Sequence, residues 1–156
     1  MTGQGKKMKT LILGIGNPIL ADDGVGIKIV QKLREKNPEL EVVETCESGI
    51  ALLEHVADCD KLILIDSIKT GKGKPGELYK LKLEDLNYPL DFASFHGVDI
   101  ATAFELGQKL GIKLPRHISI YAVEVKDNAT FAEECTEEVK ERIPFIVEQI
   151  IEEEKL

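Results

Sequence analysis

No stretch of the 156-residue chain approaches the ~18 consecutive apolar residues that a membrane span needs. No charged-then-apolar leader with a small-residue cleavage site opens it either, so a cytoplasmic protein without membrane contact is expected. Positive charge is in deficit: 20 Lys and Arg against 28 Asp and Glu leave a formal net charge of −8. A phosphate backbone selects for basic faces, so nucleic acid is excluded as the main partner. Cysteine is sparse. Cys46, Cys59 and Cys135 are an odd number at wide spacing with no C-x-x-C pair, which argues against a disulfide framework or a structural zinc site. Buried, inert thiols in a reducing compartment are expected instead. The surplus acid reads mostly as solvated surface, and the closing "IIEEEKL" as a helix end or tail, not a site. There is no internal repeat, no low-complexity segment and no coiled-coil heptad, so a monomer is expected.

What is present is a chain of 43% apolar and 31% charged residues, the balance of one ordinary globular domain. Residues 1–8 read as a flexible lead-in and residues 9–156 as a single domain. "KTLILGI", Lys9 to Ile15, is a nearly continuous apolar run ended by glycine, the pattern of a strand buried on both faces. A helix follows from about Gly24 to Lys36, with Ile29, Val30 and Leu33 on one face. Glu41 to Thr45 predicts a second strand, and Gly49 to Ala57 a second helix with Ser48 as its N-cap. "KLILID", Lys61 to Asp66, predicts a third strand ending in a carboxylate. Past the polar loop "KTGKGKPGE", the alternating "LYKLKL" predicts a half-exposed edge strand that the short return can turn antiparallel. A helix over Val98 to Leu110, a strand over His117 to Val125 and a last helix from Thr136 complete the chain. Pro144 inside that last helix removes a backbone hydrogen bond and is expected to bend it.

Alternating strands and helices with apolar strands imply a three-layer α/β/α sandwich around a mostly parallel sheet. Such folds place their sites beyond the carboxyl ends of the strands, where the strand order reverses. Gly14, Gly16 and Asn17 stand at the end of the first strand, followed by Asp22 and Asp23. A dinucleotide loop would need a third glycine where Ile19 stands, and two carboxylates at the helix start oppose a pyrophosphate. Something neutral or cationic fits better. One aspartate, Asp22, can cap the helix; the other is left over. Asp66 ends the third strand, Glu44 lies near the end of the second, and His96 in "FASFHGVDI" precedes a helix from which it can reach back over the strand ends. Two carboxylates and an imidazole form a mixed O/O/N set suited to a divalent ion such as zinc, nickel or manganese, with coordination positions left open. His55 and His117 read as packing or capping residues.

These residues resemble the nickel-iron hydrogenase maturation endopeptidases. That family typically opens with an apolar strand and then G-x-G-N-x-x-x-x-D-D/E-G-x-G, matched here by "GIGNPILADDGVG". It also carries an aspartate at the end of the third strand, as in "LILIDSI", and a histidine before a later helix, as in "SFHGVDI". The resemblance covers the chain from Met8 onward. It implies a five-stranded sheet with one antiparallel strand, and an enzyme that removes the C-terminal extension of the hydrogenase large-subunit precursor after nickel insertion. Asp23, Asp66 and His96 would be its catalytic, metal-contacting triad. Gly14, Gly16, Asn17, Asp22, Glu44 and Gly49 would support it. The metal is either a divalent ion held by the enzyme or the nickel already bound in the precursor, and the resemblance favours the latter or a hybrid. Thr45 and Cys46 stand where the family often has glycines. The alternative from another class is a non-catalytic metal- or nucleotide-sensing module on the same fold, using Gly14, Gly16 and Glu44 for a cofactor.

Overall fold

The computed structural model describes residues 7–47, 49–87 and 97–156. Most of the lead-in, the Ser48 cap and His96 lie outside the described residues. Among the described residues five runs form strands: β1 (Thr10–Ile15), β2 (Val42–Thr45), β3 (Lys61–Ile68), β4 (Leu78–Leu81) and β5 (His117–Glu124). The helices are α1 (Val25–Lys36), α2 (Leu53–Val56), α3 (Gly97–Lys109) and α4 (Glu137–Glu154), with 3-10 turns at Ala21–Gly24 and Gly49–Leu52 leading into α1 and α2.

Among the described residues the strands make one sheet in the order β2-β1-β3-β5-β4. The pairs β1 with β2, β1 with β3 and β3 with β5 are parallel. β4 is antiparallel and pairs with β5, not with β3, the strand it follows in the chain. It therefore occupies the sheet edge, where its half-exposed alternation is stable.

Period-two alternation divides the strand side chains between two cores. Leu11, Leu13, Leu62, Leu64 and Ile120 face Leu52, Leu53 and Val56 of the α2 region and Ile100, Ala103 and Phe104 of α3. Ile12, Ile63, Ile65, Tyr121 and Val123 face Ile29, Val30 and Leu33 of α1 and Val139, Ile146, Val147 and Ile150 of α4. The sheet thus has helices on both faces, as expected, and α4 continues through Pro144.

Three expectations are corrected. β3 does not stop at Asp66 but continues through Ile68, because Ser67 and Ile68 pair with Val123 and Glu124 and Ile68 is buried. Cys59 and Cys135 are buried as expected, yet Cys46 is exposed, directly after the last residue of β2. The closing acidic run is not all solvated. Glu154 is 8% exposed, 2.8 Å from the Lys61 ammonium and hydrogen-bonded by the Tyr121 hydroxyl. Burial pushes the Glu154 carboxyl up, but hydrogen bonds from Lys61, Tyr121 and Ser119 outweigh it and hold the group below its ordinary value.

Candidate active site at the sheet switch point

β1 leads through α1 to β2 on one side, and the chain then returns past β1 to place β3 on the other. The order reverses between β1 and β3, and the crevice beyond their carboxyl ends is where an open α/β sheet binds its ligands. Asp23 follows β1 into that crevice, and Asp66 lies near the end of β3.

Glycines let the backbone turn there. Gly16 has φ +154°, and a Cβ on it would lie 2.1 Å from the Asp23 carbonyl oxygen. A Cβ on Gly26 would lie 2.5 Å from the Ile65 carbonyl oxygen and 2.7 Å from that of Ile15, so only glycine lets the start of α1 settle onto β1 and β3. Between them the Asn17 side chain accepts the Ile19 N–H at 3.1 Å, and the Asn17 N–H donates to Asp23 Oδ2 at 2.9 Å. Asn17 thus shapes the turn and aims the Asp23 carboxylate.

Ser67 couples the two carboxylates. Its Oγ donates to Asp23 Oδ1 at 3.2 Å and its backbone N–H donates to Asp66 Oδ1 at 2.7 Å. Asp66 and Ser67 are buried, while Asp23 is half-buried. Both acids therefore gather around one residue at the switch point. Ser67 was not singled out by sequence reasoning; the only signal was its place directly after Asp66.

Asp22 behaves differently from a helix-one cap: α1 has no side-chain cap bond. Instead the fully buried Asp22 carboxylate reaches across to the segment between β5 and α4. It accepts the N–H groups of Lys126 and Asp127 at 3.0 Å each, and from Thr136 the N–H at 2.6 Å and the hydroxyl at 2.8 Å. Main-chain bonds from Asp22 N to Asp127 O and from Ala21 N to Ala132 O run alongside. Ala21 holds φ +49° there, a left-handed conformation for a non-glycine residue that these bonds secure. Asp22 is a brace between two loops.

The remaining expected residues divide. Gly49 takes φ +63° where the chain turns after β2. Gly14 backs onto Val30 of α1. Glu44 accepts from Gln31 at 2.8 Å and from Arg34 at 2.6 Å, so its carboxylate is tied to α1. Thr45 is buried, and its hydroxyl accepts the Glu47 N–H at 3.0 Å. His55 stands 3.8 Å from Glu47, and His117 is exposed at the start of β5. Among the described residues no three His, Cys, Asp or Glu side chains form a metal-holding group; His96, the third member of the expected set, lies outside them.

The profile of the hydrogenase maturation proteases (HycI) matches residues 27–153. The chain belongs to the hydrogenase maturation protease family. The matched span begins after Asp23, so it supports the assignment independently of the first glycine-acidic motif. The hydrogenase 2 maturation protease of Escherichia coli K12 is 34% identical over 82 residues, 51% of this chain and 50% of that protein. The chain spans about half the length of such curated relatives. The E. coli hydrogenase maturating endopeptidase HybD superposes with a TM-score of 0.76 at 25% identity, over 93% of this chain and 91% of that one. The nickel-iron hydrogenase maturation protease HybD of Thermococcus kodakarensis superposes with a TM-score of 0.68 at 28% identity, over 93% and 98%. Membership of a protease family disfavours the sensing-module alternative. So does the geometry, since Gly14 is packed against α1 and Glu44 is held by Arg34.

Proposed function

We propose that this maturation protease homologue is an endopeptidase that removes the C-terminal extension of a nickel-iron hydrogenase large-subunit precursor after nickel has been inserted. It acts as a cytoplasmic monomer that meets the precursor transiently. The observation that carries the reading is the pair of acids, Asp23 and Asp66, joined through Ser67 at the switch point of a chain in this family.

The donor chemistry fits a divalent ion that arrives with ligands of its own. Each Asp23 oxygen accepts one hydrogen bond, from Asn17 or from Ser67, and keeps a further lone pair. Carboxylate oxygens can ligate a divalent ion, and His96 would add, by family resemblance, the imidazole that suits nickel or zinc. The nickel belongs to the substrate: with Asp23, Asp66 and His96 as additional ligands, it anchors the precursor and supplies positive charge beside the scissile carbonyl. An incomplete site of this kind gains binding energy only from a metal-bearing partner, which explains how cleavage waits for nickel.

The chain's own residues orient and move protons. Asn17 and Ser67 fix the Asp23 carboxylate, and Ser67 also fixes Asp66. A carboxylate of this pair takes a proton from the attacking water. The water oxygen bonds to the scissile carbonyl carbon, the C–N bond breaks, and the proton passes to the departing amine. The products are a new carboxyl terminus on the large subunit and the released extension.

The test is incubation of nickel-loaded and nickel-free precursor with the wild type and with Asp23→Ala, Asp66→Ala and His96→Ala. The wild type is expected to cleave only the nickel-loaded form, and each variant to lose that cleavage. Cleavage persisting in all three variants would overturn the site. Cleavage of the nickel-free form would overturn recognition of the substrate's metal.

A further inference from the structure

The loop that leaves β3 directly after Asp66, Ser67 and Ile68 reads "KTGKGKPGE", residues 69–77. Lys69, Lys72 and Lys74 are all exposed, a local concentration of positive charge in a chain of net charge −8. Lys69 and Lys74 form no ion pair among the described residues. A glycine-rich, lysine-rich connection is an unfavourable segment to order, yet this one is held in place by a buried acid.

That acid is Glu124 at the end of β5, 1% exposed. Its carboxylate accepts the Thr70 N–H at 2.8 Å and the Tyr79 hydroxyl at 3.0 Å, and the Thr70 hydroxyl also donates to it. The Gly76 N–H donates to the Glu124 carbonyl at 2.7 Å, and the Glu124 N–H donates to the Glu77 carbonyl at 2.8 Å. Gly73 closes over the cluster so tightly that a Cβ there would lie 2.0 Å from the Tyr79 oxygen. Burial and the neighbouring Glu124 push the Tyr79 hydroxyl up to about 12, so it remains a donor at neutral pH. No basic side chain pairs with Glu124 among the described residues; its charge is balanced by donors of the loop and of β4.

The clamp adjoins the candidate site. Asp66 pairs with Ala122 and Ile68 with Glu124, so alternation puts Asp66 and Glu124 on the same face of adjacent strands, two register positions apart.

The loop begins directly after Ile68, so Lys69 follows Asp66 by three residues at the carboxyl end of β3. We propose that the 69–77 loop is a substrate-reading arm: Lys69 and Lys74 receive carboxylates of the extension that is removed, and Glu124 is the positioning residue that holds the arm beside the site. This rests on the reading of the chain as a maturation endopeptidase. The carboxylates can be acidic side chains of the extension or its terminal carboxylate.

The experiment is steady-state cleavage of nickel-loaded precursor by the wild type, by Lys69→Gln/Lys74→Gln and by Glu124→Ala and Glu124→Gln, at low and high ionic strength. Exposed lysines do not affect folding, which keeps the lysine double variant interpretable. An exposed charge pair is worth ~1 kcal/mol at most, so the lysine double variant is expected to raise KM by roughly fivefold with kcat little changed. Added salt should raise the wild-type KM and leave that of the double variant unmoved. Glu124→Ala should raise KM similarly, and Glu124→Gln, which retains an acceptor for Thr70, should restore part of the difference. Two altered precursors separate the sources: one with the acidic residues of its extension changed to amides, the other with a C-terminal carboxamide. Whichever removes the difference between the wild type and the lysine variant identifies the group read, and a difference surviving both overturns the proposal. An unchanged KM in the lysine double variant overturns the arm alone. Failure of the wild type to cleave any precursor overturns the underlying function.

Discussion

Replacing Asp22 by alanine should unfold the protein far more readily, and the cost can be worked from its partners. The carboxylate accepts three backbone N–H groups and one hydroxyl, from Lys126, Asp127 and Thr136. A hydrogen bond to a charged group contributes ~1.5–3 kcal/mol. The full sum is not lost, because Lys126 is exposed enough for water to replace Asp22, and removing a buried carboxylate recovers its desolvation cost. A net destabilisation of ~3 kcal/mol is expected, against total stabilities of ~5–15 kcal/mol for a domain. At this chain length that lowers the melting temperature by ~6–12 °C. Asp22→Asn keeps one acceptor but turns an NH2 group toward N–H donors, so it should recover less than half of the loss. Urea unfolding followed by far-UV circular dichroism measures both variants. A double-mutant cycle with Thr136→Val should show coupling, since that change deletes the hydroxyl donor. A loss below ~1 kcal/mol for Asp22→Ala, with no coupling to Thr136, would refute the brace.

Three further outcomes follow from the same geometry. Gly16→Ala drives a Cβ into the Asp23 carbonyl, so it should displace the site loop and remove most cleavage activity while circular dichroism stays near wild type. Ser67→Ala should cut kcat on nickel-loaded precursor by roughly tenfold, the scale of one lost positioning hydrogen bond, with unfolding changed far less than in Asp22→Ala. Stability should fall at both ends of the pH range. Glu154, held below its ordinary 4.5, contributes stability above that value and loses it as pH falls through the lowered one. Tyr79, raised from 10.0 to about 12, contributes stability below 10.0 and loses it as pH rises toward 12. Urea midpoints across pH test this, and a midpoint that does not fall at high pH in the wild type would contradict the Tyr79 assignment.

Local pattern alone determined the main elements, because burial on two sheet faces or one helix stripe imposes a period that any window of the chain displays. The glycine-acidic turn after β1 was legible for the same reason: the glycines, Asn17 and Asp23 interact within a few residues of one another. Even the rejection of a dinucleotide loop needed only Ile19 and the charge of two neighbouring aspartates. Only the tertiary structure decided the partners. Asp22 looked like a cap for the helix beside it and instead braces a segment more than 100 residues away. β4 pairs with β5, a partner that its place after β3 in the chain does not reveal. Ser67 acquired its role by standing between two acids brought together where that order reverses, and Glu154, which reads as solvated tail, is buried by Tyr121 and Lys61. A carboxylate's role depends on which donors the fold brings within about 3 Å, and those donors come from strands and loops distant in sequence.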